Sequence, residues 1–190
     1  IKAYLFLKLI TKPSRTQYPF LIEHLFLGKP VAYLDKTIAN CFHIEVIEKI
    51  FPDALFIHLV RDGRACISSI IEGWKHHIGR KHDGILNFPP DSTISAWCYP
   101  IPPEWEKRVY SSLEEICSWI WIEHNRYVLD FFSERNENYN HHKYIQVSYE
   151  DLIGTPLSVV QKVSSFTGLD ITEDCTNYIE SQIPSRTTVS

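Results

Sequence analysis

Arg61 is the residue of this sequence that is best placed for chemistry, because it ends a nearly continuous apolar run and precedes a turn and a helix-like segment. A helix N-terminus presents free N–H donors and a positive partial charge, which favour anions. Together with the hydroxyls of Ser68 and Ser69 early in that helix, the guanidinium predicts a phosphate site. The alternative is an ion pair between Arg61 and Asp62 or a nearby carboxylate, which would only tie the turn.

Two other polar segments follow strand-like runs, at positions 35–37 and 148–151. In parallel α/β sheets, ligands bind beyond the carboxyl ends of the strands. We therefore expect these two segments and Arg61 to meet at one edge of a sheet. Glu150 and Asp151 are more typical of helix-cap carboxylates than of catalytic groups.

The elements that must position these groups alternate between strand and helix at least three times along the chain. This order predicts an α/β fold with a three-layer parallel sheet and helices on both faces. Residues 1–10 resemble the end of a helix, and residues 136–142 a polar turn. Pro156 and Gly168 bracket a further helix with the expected asymmetry of proline at its start and glycine at its end.

Composition indicates one ordinary globular domain and excludes several classes of function. The chain has 190 residues, 44% of them hydrophobic and 22% charged, which argues against disorder and collagen. A formal net charge of −4 argues against a general nucleic-acid binder. No apolar run of membrane-spanning length and no signal peptide are recognisable.

The cysteines and the long insertion set further expectations. The five cysteines form no C-x-x-C pair, which argues against a disulfide framework or a zinc knuckle and favours reduced thiols in the cytoplasm.

Residues 80–111 hold five of the eleven prolines and form a long insertion or lid loop. Trp74, Trp97 and Trp105 could line an acceptor site there. Neighbouring histidines in residues 76–83 lack the usual ligand spacing, so no metal is expected.

Three segments, in order, resemble the sulfotransferases that use 3′-phosphoadenosine 5′-phosphosulfate (PAPS), particularly their bacterial branch. Residues 55–69 are similar to the 3′-phosphate motif, in which an Arg at a strand end is followed eight positions later by a Ser. Residues 34–41 resemble the Lys-Thr element, and residues 147–156 resemble the Tyr-Glu-Asp-Leu segment. The resemblance covers about residues 30–190 and implies a nucleotide-kinase-like, P-loop architecture.

The resemblance also implies roles for particular residues. Arg61 and Ser69 would bind the 3′-phosphate, and Tyr149 would contact the adenosine side. Lys36 would lie near the transferred sulfuryl group and stabilise charge on the bridging oxygen, as in phosphoryl transfer. Asp35 would be a catalytic candidate beside it.

Two departures from the family pattern limit this assignment. The family's general-base His after Lys-Thr is replaced by Ile38, so a base must come from another residue or from an upstream one. The candidates are Asp35, Glu23, His24 and His43. The Gly-rich 5′-phosphosulfate loop has no match, since residues 12–16 lack Gly and are interpreted as a connector.

The first and last residues bear on this missing loop. The chain begins at Ile1 and contains no Met, so we expect a single sulfotransferase-like domain over residues 1–190, truncated at both ends, with that loop upstream. Residues 184–188 resemble the beginning of the family's C-terminal cofactor loop.

The sequence therefore predicts transfer of a sulfuryl group from PAPS to a hydroxyl, or less favourably an amine, of a glycan, lipid or small-metabolite acceptor. Two alternatives stay open. One is a nucleotide-dependent small-molecule kinase, which would need ATP and acidic Mg²⁺ ligands. The other is a non-catalytic sulfotransferase-like binding module.

Overall fold

The computed structural model describes residues 6–10, 31–76 and 88–182. Its helices and strands are β1 (Phe6–Ile10), β2 (Val31–Asp35), a 3₁₀ helix (Ile38–Phe42), α1 (Ile44–Ile50), β3 (Phe56–Val60), α2 (Gly63–Lys75), a 3₁₀ helix (Trp105–Arg108), α3 (Leu113–Ser133), α4 (Glu137–Lys143), β4 (Tyr144–Ser148), α5 (Tyr149–Gly154), α6 (Pro156–Thr167) and α7 (Glu173–Gln182).

Strands β3 and β4 form the parallel pair on which the site is built. Phe56 lies opposite Tyr144 and Val60 opposite Ser148, so both strands end at the same level. Both strands are rich in β-branched and aromatic residues, which suits strands covered by helices. The parallel pairing and the intervening helices agree with the predicted α/β class.

Helices cover both faces of the β3–β4 pair. On one face, Phe56 packs with Val128 of α3. On the other face, Ile57 and Val147 pack with Val159 of α6. The strand ends are therefore held between two apolar layers, which fixes the polar residues that follow them.

Strands β1 and β2 depart from the expected sheet, because they pair in an antiparallel manner, with Phe6 opposite Asp35. The expectation that residues 1–10 end a helix is wrong for Phe6–Ile10, which form a strand. Short apolar runs cannot be assigned to helix or strand by periodicity alone, and here the pairing with β2 decides.

The helix ends follow their local sequence closely. Ser112 and Glu115 form a reciprocal capping box at the start of α3. Pro156 opens α6 and Gly168 ends it with a φ of 69°, as predicted. The expected polar turn at residues 136–142 is instead α4, because the Asn136 side chain accepts a hydrogen bond from the Tyr139 N–H.

The described part of the insertion, residues 88–111, packs onto α2 and α3. Trp97 is completely buried among Trp74, Trp105 and Trp119, with edge-to-face ring contacts. Trp74 is only 7% exposed. We call this group, with Phe88 and Tyr99, the aromatic cluster. The prediction that Trp74 and Trp97 line an acceptor site is wrong, because these rings form core.

Within residues 6–10, 31–76 and 88–182, no helix is both long and apolar enough to cross a membrane. All five cysteines are free thiols. Burial raises the pKa of Cys41 and Cys117 to about 12, so these two are packed as small apolar side chains rather than as thiolates.

Candidate functional site

An open cleft lies at the carboxyl ends of β3 and β4, where the sequence predicted a ligand site. Its volume is about 560 Å³, within the range of small-molecule sites. The lining residues come from both strand ends, the start of α2, and α3: Val60, Arg61, Asp62, Gly63, Arg64, Ile67, Trp121, Gln146, Ser148 and Glu150.

Arg61 enters the cleft from the end of β3 and packs on the ring of Tyr149, the first residue of α5. Its guanidinium carbon lies 4.9 Å from the ring centroid, in the geometry of a cation–π contact. Among the described residues, no carboxylate forms an ion pair with Arg61. The structure therefore brings Arg61 and Tyr149 together and leaves the guanidinium's N–H donors available to an anion.

Asp62 pairs with Arg64 rather than with Arg61. The two side chains meet through two hydrogen bonds of 3.1 and 2.7 Å. This contact is the main reason that the pKa of Asp62 is lowered to about 2. The alternative that Arg61 only ties the turn with Asp62 is not what the structure shows.

Asp62 also caps α2, since its carboxylate accepts a hydrogen bond of 2.8 Å from the Arg64 backbone N–H. The sequence interpretation treated this helix N-terminus as open to a bound anion. The structure shows that the Asp62 carboxylate accepts one of the N–H groups of this helix start. The guanidinium of Arg61 is the cationic group that remains available.

Glu150 links the turns that follow β3 and β4. One of its oxygens accepts a hydrogen bond of 3.0 Å from the Asp62 N–H, and the other accepts one of 3.1 Å from the Ser148 hydroxyl. The bond from Asp62 is the largest cause of the lowered pKa of Glu150. The cap of α5 is Ser148, which accepts from the Asp151 N–H at 3.2 Å. Glu150 is thus engaged structurally.

Ser69 lies on a different side of α2 from the cleft. At 100° per residue, it is about 160° around the helix from Ile67, which lines the cleft. Ser69 is half-buried, and it is not among the lining residues. The structure therefore brings Arg61 and Tyr149 together without bringing Ser69 to the same cavity.

Asp35 ends β2 and Lys36 follows it, and neither residue lines the cleft. Lys36 is exposed, and Asp35 accepts a hydrogen bond of 2.7 Å from the Thr37 hydroxyl. The 3₁₀ helix after them is anchored on α3, where the Phe42 ring lies 4.6 Å from that of His124. Of the other candidate bases, His43 is exposed, while Glu23 and His24 lie outside the described residues.

Trp121 is a cleft residue that sequence reasoning missed, because its helix was interpreted as core. A Cβ placed on Gly63 would lie 3.2 Å from the Trp121 indole ring. Gly63 therefore lets the indole approach the turn after β3 and line the cleft. A glycine directly after Arg61-Asp62 was the available signal for such a close approach.

A buried polar chain beneath the cleft was also missed. His58 Nε2 lies 3.1 Å from Asn125 Oδ1, and His58 Nδ1 lies 3.0 Å from the Tyr144 hydroxyl. Burial lowers the pKa of His58 to about 4 and raises that of Tyr144 to about 12, so both are neutral near pH 7. A single His in an apolar strand offers no spacing signal.

No group of three or more metal-ligating side chains is present among the residues that the structure describes. His77, His82 and Asp83, which belong to the histidine-rich segment, lie outside them. The segment at residues 12–16 and the one at residues 184–188 are likewise outside them.

Comparison with known proteins finds a family model that matches part of this chain. Residues 11–99 match the model of the Sulfotransferase family. No curated protein matches the chain. A solved sulfotransferase domain from the curacin biosynthetic pathway is similar, with a TM-score of 0.49 and 17% identity over 73% of this chain. The chain spans 38% of that domain's length.

Proposed function

Because residues 11–99 match the model of the Sulfotransferase family, we propose that this chain transfers a sulfuryl group from PAPS to an acceptor hydroxyl or amine. The observation that carries the proposal is Arg61, held on Tyr149 at the mouth of the cleft and unpaired with any carboxylate in the described part of the chain. A guanidinium placed in this way suits a phosphate group.

In the proposed reaction, the acceptor oxygen forms a bond to sulfur while the bond from sulfur to the 5′-phosphate oxygen breaks. The acceptor proton passes to a base, and the electron pair of the broken bond stays on the phosphate of adenosine 3′,5′-bisphosphate (PAP). Little covalent chemistry falls to the protein, so its part is positioning and charge stabilisation.

Most candidate residues have a proposed part in that reaction. Arg61 holds the 3′-phosphate. Ser69, the second contact that the resemblance implies, does not line the cleft, so the proposal assigns it no contact there. Tyr149 supports Arg61 and the adenosine side. Lys36 stabilises the charge that develops on the bridging oxygen, and Asp35 is the proposed proton acceptor beside it.

PAP binding tests this proposal. We expect PAP to raise the melting temperature of the chain, because a ligand that binds only the native state stabilises it. Arg61→Ala should weaken PAP binding by about 10- to 100-fold, the effect of losing one or two charge-assisted hydrogen bonds. Arg108→Ala is the matched control, since it removes an exposed arginine that contacts Trp119 away from the cleft.

The same titration separates the alternatives. A shift with ATP and Mg²⁺ but none with PAP would favour the kinase. Binding of neither nucleotide would favour a non-catalytic module. PAP binding that Arg61→Ala and Arg108→Ala reduce equally would remove Arg61 from the site.

A further inference from the structure

A chain of polar side chains connects α3, β3 and β4 beneath the cleft. The Asn125 amide nitrogen donates to the backbone carbonyl of Trp121 at 2.7 Å. Asn125 then meets His58, and His58 meets Tyr144 at the distances given above. The Tyr144 hydroxyl lies 3.3 Å from the side-chain atom assigned as Gln146 Oε1, and Gln146 lines the cleft.

The direction of each of these hydrogen bonds follows from the contact between Asn125 and the Trp121 carbonyl. A backbone carbonyl only accepts, so the nitrogen of Asn125 must face Trp121 and its oxygen must face His58. His58 Nε2 then carries the ring proton. The ring is neutral because burial lowers its pKa, so Nδ1 is an acceptor. Tyr144 therefore gives its single proton to His58.

Gln146 then faces a hydroxyl that has no second proton to give. An amide beside such a hydroxyl must donate, so we exchange the two amide atoms of Gln146. The nitrogen then takes the position of Oε1 beside Tyr144, and the oxygen lies on the side of the cleft. The two atoms of a side-chain amide are told apart only by their hydrogen-bond partners. The hydrogen bonds from Asn125 through His58 and Tyr144 thus determine which amide atom of Gln146 faces a ligand.

The other polar side chains at this end of β4 are already hydrogen-bonded within the protein. The Ser148 hydroxyl donates to Glu150 and accepts from the Asp151 N–H. Both oxygens of Glu150 are also engaged. Gln146 is the lining side chain at this edge whose amide orientation is set by the buried polar side chains.

We propose that Gln146 is a specificity-determining residue that presents its amide oxygen to the cleft and accepts a hydrogen bond from the exocyclic amine of adenine. The proposal rests on the proposed function, since it takes PAPS or PAP as the ligand. A 6-keto purine would place a carbonyl against the amide oxygen, and two facing acceptors repel. Tyr144 and His58 are positioning residues, because they act through Gln146.

NMR of the ligand-free protein tests the direction of the hydrogen bonds between Asn125, His58 and Tyr144. In ¹⁵N NMR spectra at pH 7, we expect the His58 ring to be protonated at Nε2 and bare at Nδ1. Tyr144→Phe should move the Nδ1 resonance and leave Nε2 protonated. A ring protonated at Nδ1 in the wild-type protein would overturn the inference, whatever the protein binds.

Nucleotide selectivity tests the role of Gln146. We expect the wild-type chain to bind PAP about 10-fold more tightly than inosine 3′,5′-bisphosphate, the usual effect of one matched hydrogen bond against a mismatched pair. Tyr144→Phe keeps the ring stacked on Phe132 but frees the amide to turn, so the preference should fall below about 3-fold. Gln146→Leu should abolish it, whereas Gln146→Glu, which has only acceptors, should retain it.

Tyr139→Phe is the matched control, because the Tyr139 hydroxyl is buried without a hydrogen-bond partner in the described part of the chain. It should keep the full preference. Equal binding of PAP and the inosine analogue by the wild-type chain would overturn the inference and leave the proposed function standing. Absence of PAP binding would overturn both, even with His58 in the expected tautomer.

Discussion

The cleft and the aromatic cluster are built from the two parts of the chain that looked most functional, and they serve different ends. In the cluster, the Trp97 ring is 0% exposed and meets Trp74 and Trp105 edge to face. In the cleft, Arg61 and Gln146 line an open cavity, and each contacts a tyrosine, Tyr149 and Tyr144 respectively. Aromatic residues were thus gathered to make core, while single polar residues at strand ends make the candidate site.

This difference teaches that composition is a weaker guide to a site than position in the fold. Large rings bury the most apolar area, so they are drawn together wherever the chain allows it. A charged group at the end of a parallel strand cannot be buried in this way, and it stays beside the ligand space. Substitutions in the aromatic cluster should therefore change stability most, and substitutions in the cleft should change ligand binding most.

The largest expected effect is on the aromatic cluster. Trp97→Ala should lower the free energy of unfolding by about 3–5 kcal/mol, because it leaves a cavity among packed rings. Urea unfolding measures this loss. Tyr110→Ala, in the same insertion but 56% exposed, should change it by less than about 0.5 kcal/mol. If the two variants lose the same stability, the cluster is not a core.

Acid should lower the stability of the chain through two buried histidines, His58 and His124, and not through the aromatic cluster. Burial lowers the pKa of His58 and of His124 to about 4, against 6.5 for an ordinary histidine. The unfolded chain therefore binds more protons, and stability falls as the pH drops from about 6.5 toward 4. Each histidine contributes up to about 1.4 kcal/mol per pH unit in that window.

Urea unfolding at a series of pH values measures this slope. The Trp97→Ala variant should keep it, because Tyr99 and Cys117 in that region have pKa values raised to about 12 by burial. His58→Gln should flatten it by about half. An unchanged slope in His58→Gln would mean that His58 is protonated at the same pH in the folded and unfolded chain.

The smallest expected effect on stability is at the border of the cleft. Gly63→Ala would place a methyl group 3.2 Å from the Trp121 ring, so we expect a loss of about 1–3 kcal/mol and weaker PAP binding. Gly154→Ala is the matched control, since nothing lies within 4 Å of its added carbon. Equal effects on PAP binding would show that Trp121 does not shape the site.

Much of the site could be predicted from local pattern. The apolar run before Arg61 could only be a strand or a buried helix, and the Gly turn after it favoured a strand end. Tyr149 follows a similar run, so its meeting with Arg61 required only that the two strands be parallel neighbours. These inferences need nothing beyond the alternation of the chain.

The partners of the charged groups could not be predicted in this way. Asp62 stands next to Arg61 and two residues before Arg64, and sequence distance does not choose between them. The ion pair is decided by the start of α2. The Asp62 carboxylate caps this helix by accepting from the Arg64 N–H, and this position brings it next to the Arg64 side chain. Trp121 and Gln146 join the cleft through packing between distant segments, which no local spacing records.

By itself, the sequence determined the strands β3 and β4, the helices α2 and α3 between them and the arginine at the strand end, because period and turn residues act over a few positions. Only the tertiary structure decided that Asp62 caps the helix N-terminus, that the tryptophans of the insertion become core, and that His58 directs the hydrogen bonds of Gln146. Each of these depends on which distant atoms come into contact, and contact is a property of the packed chain.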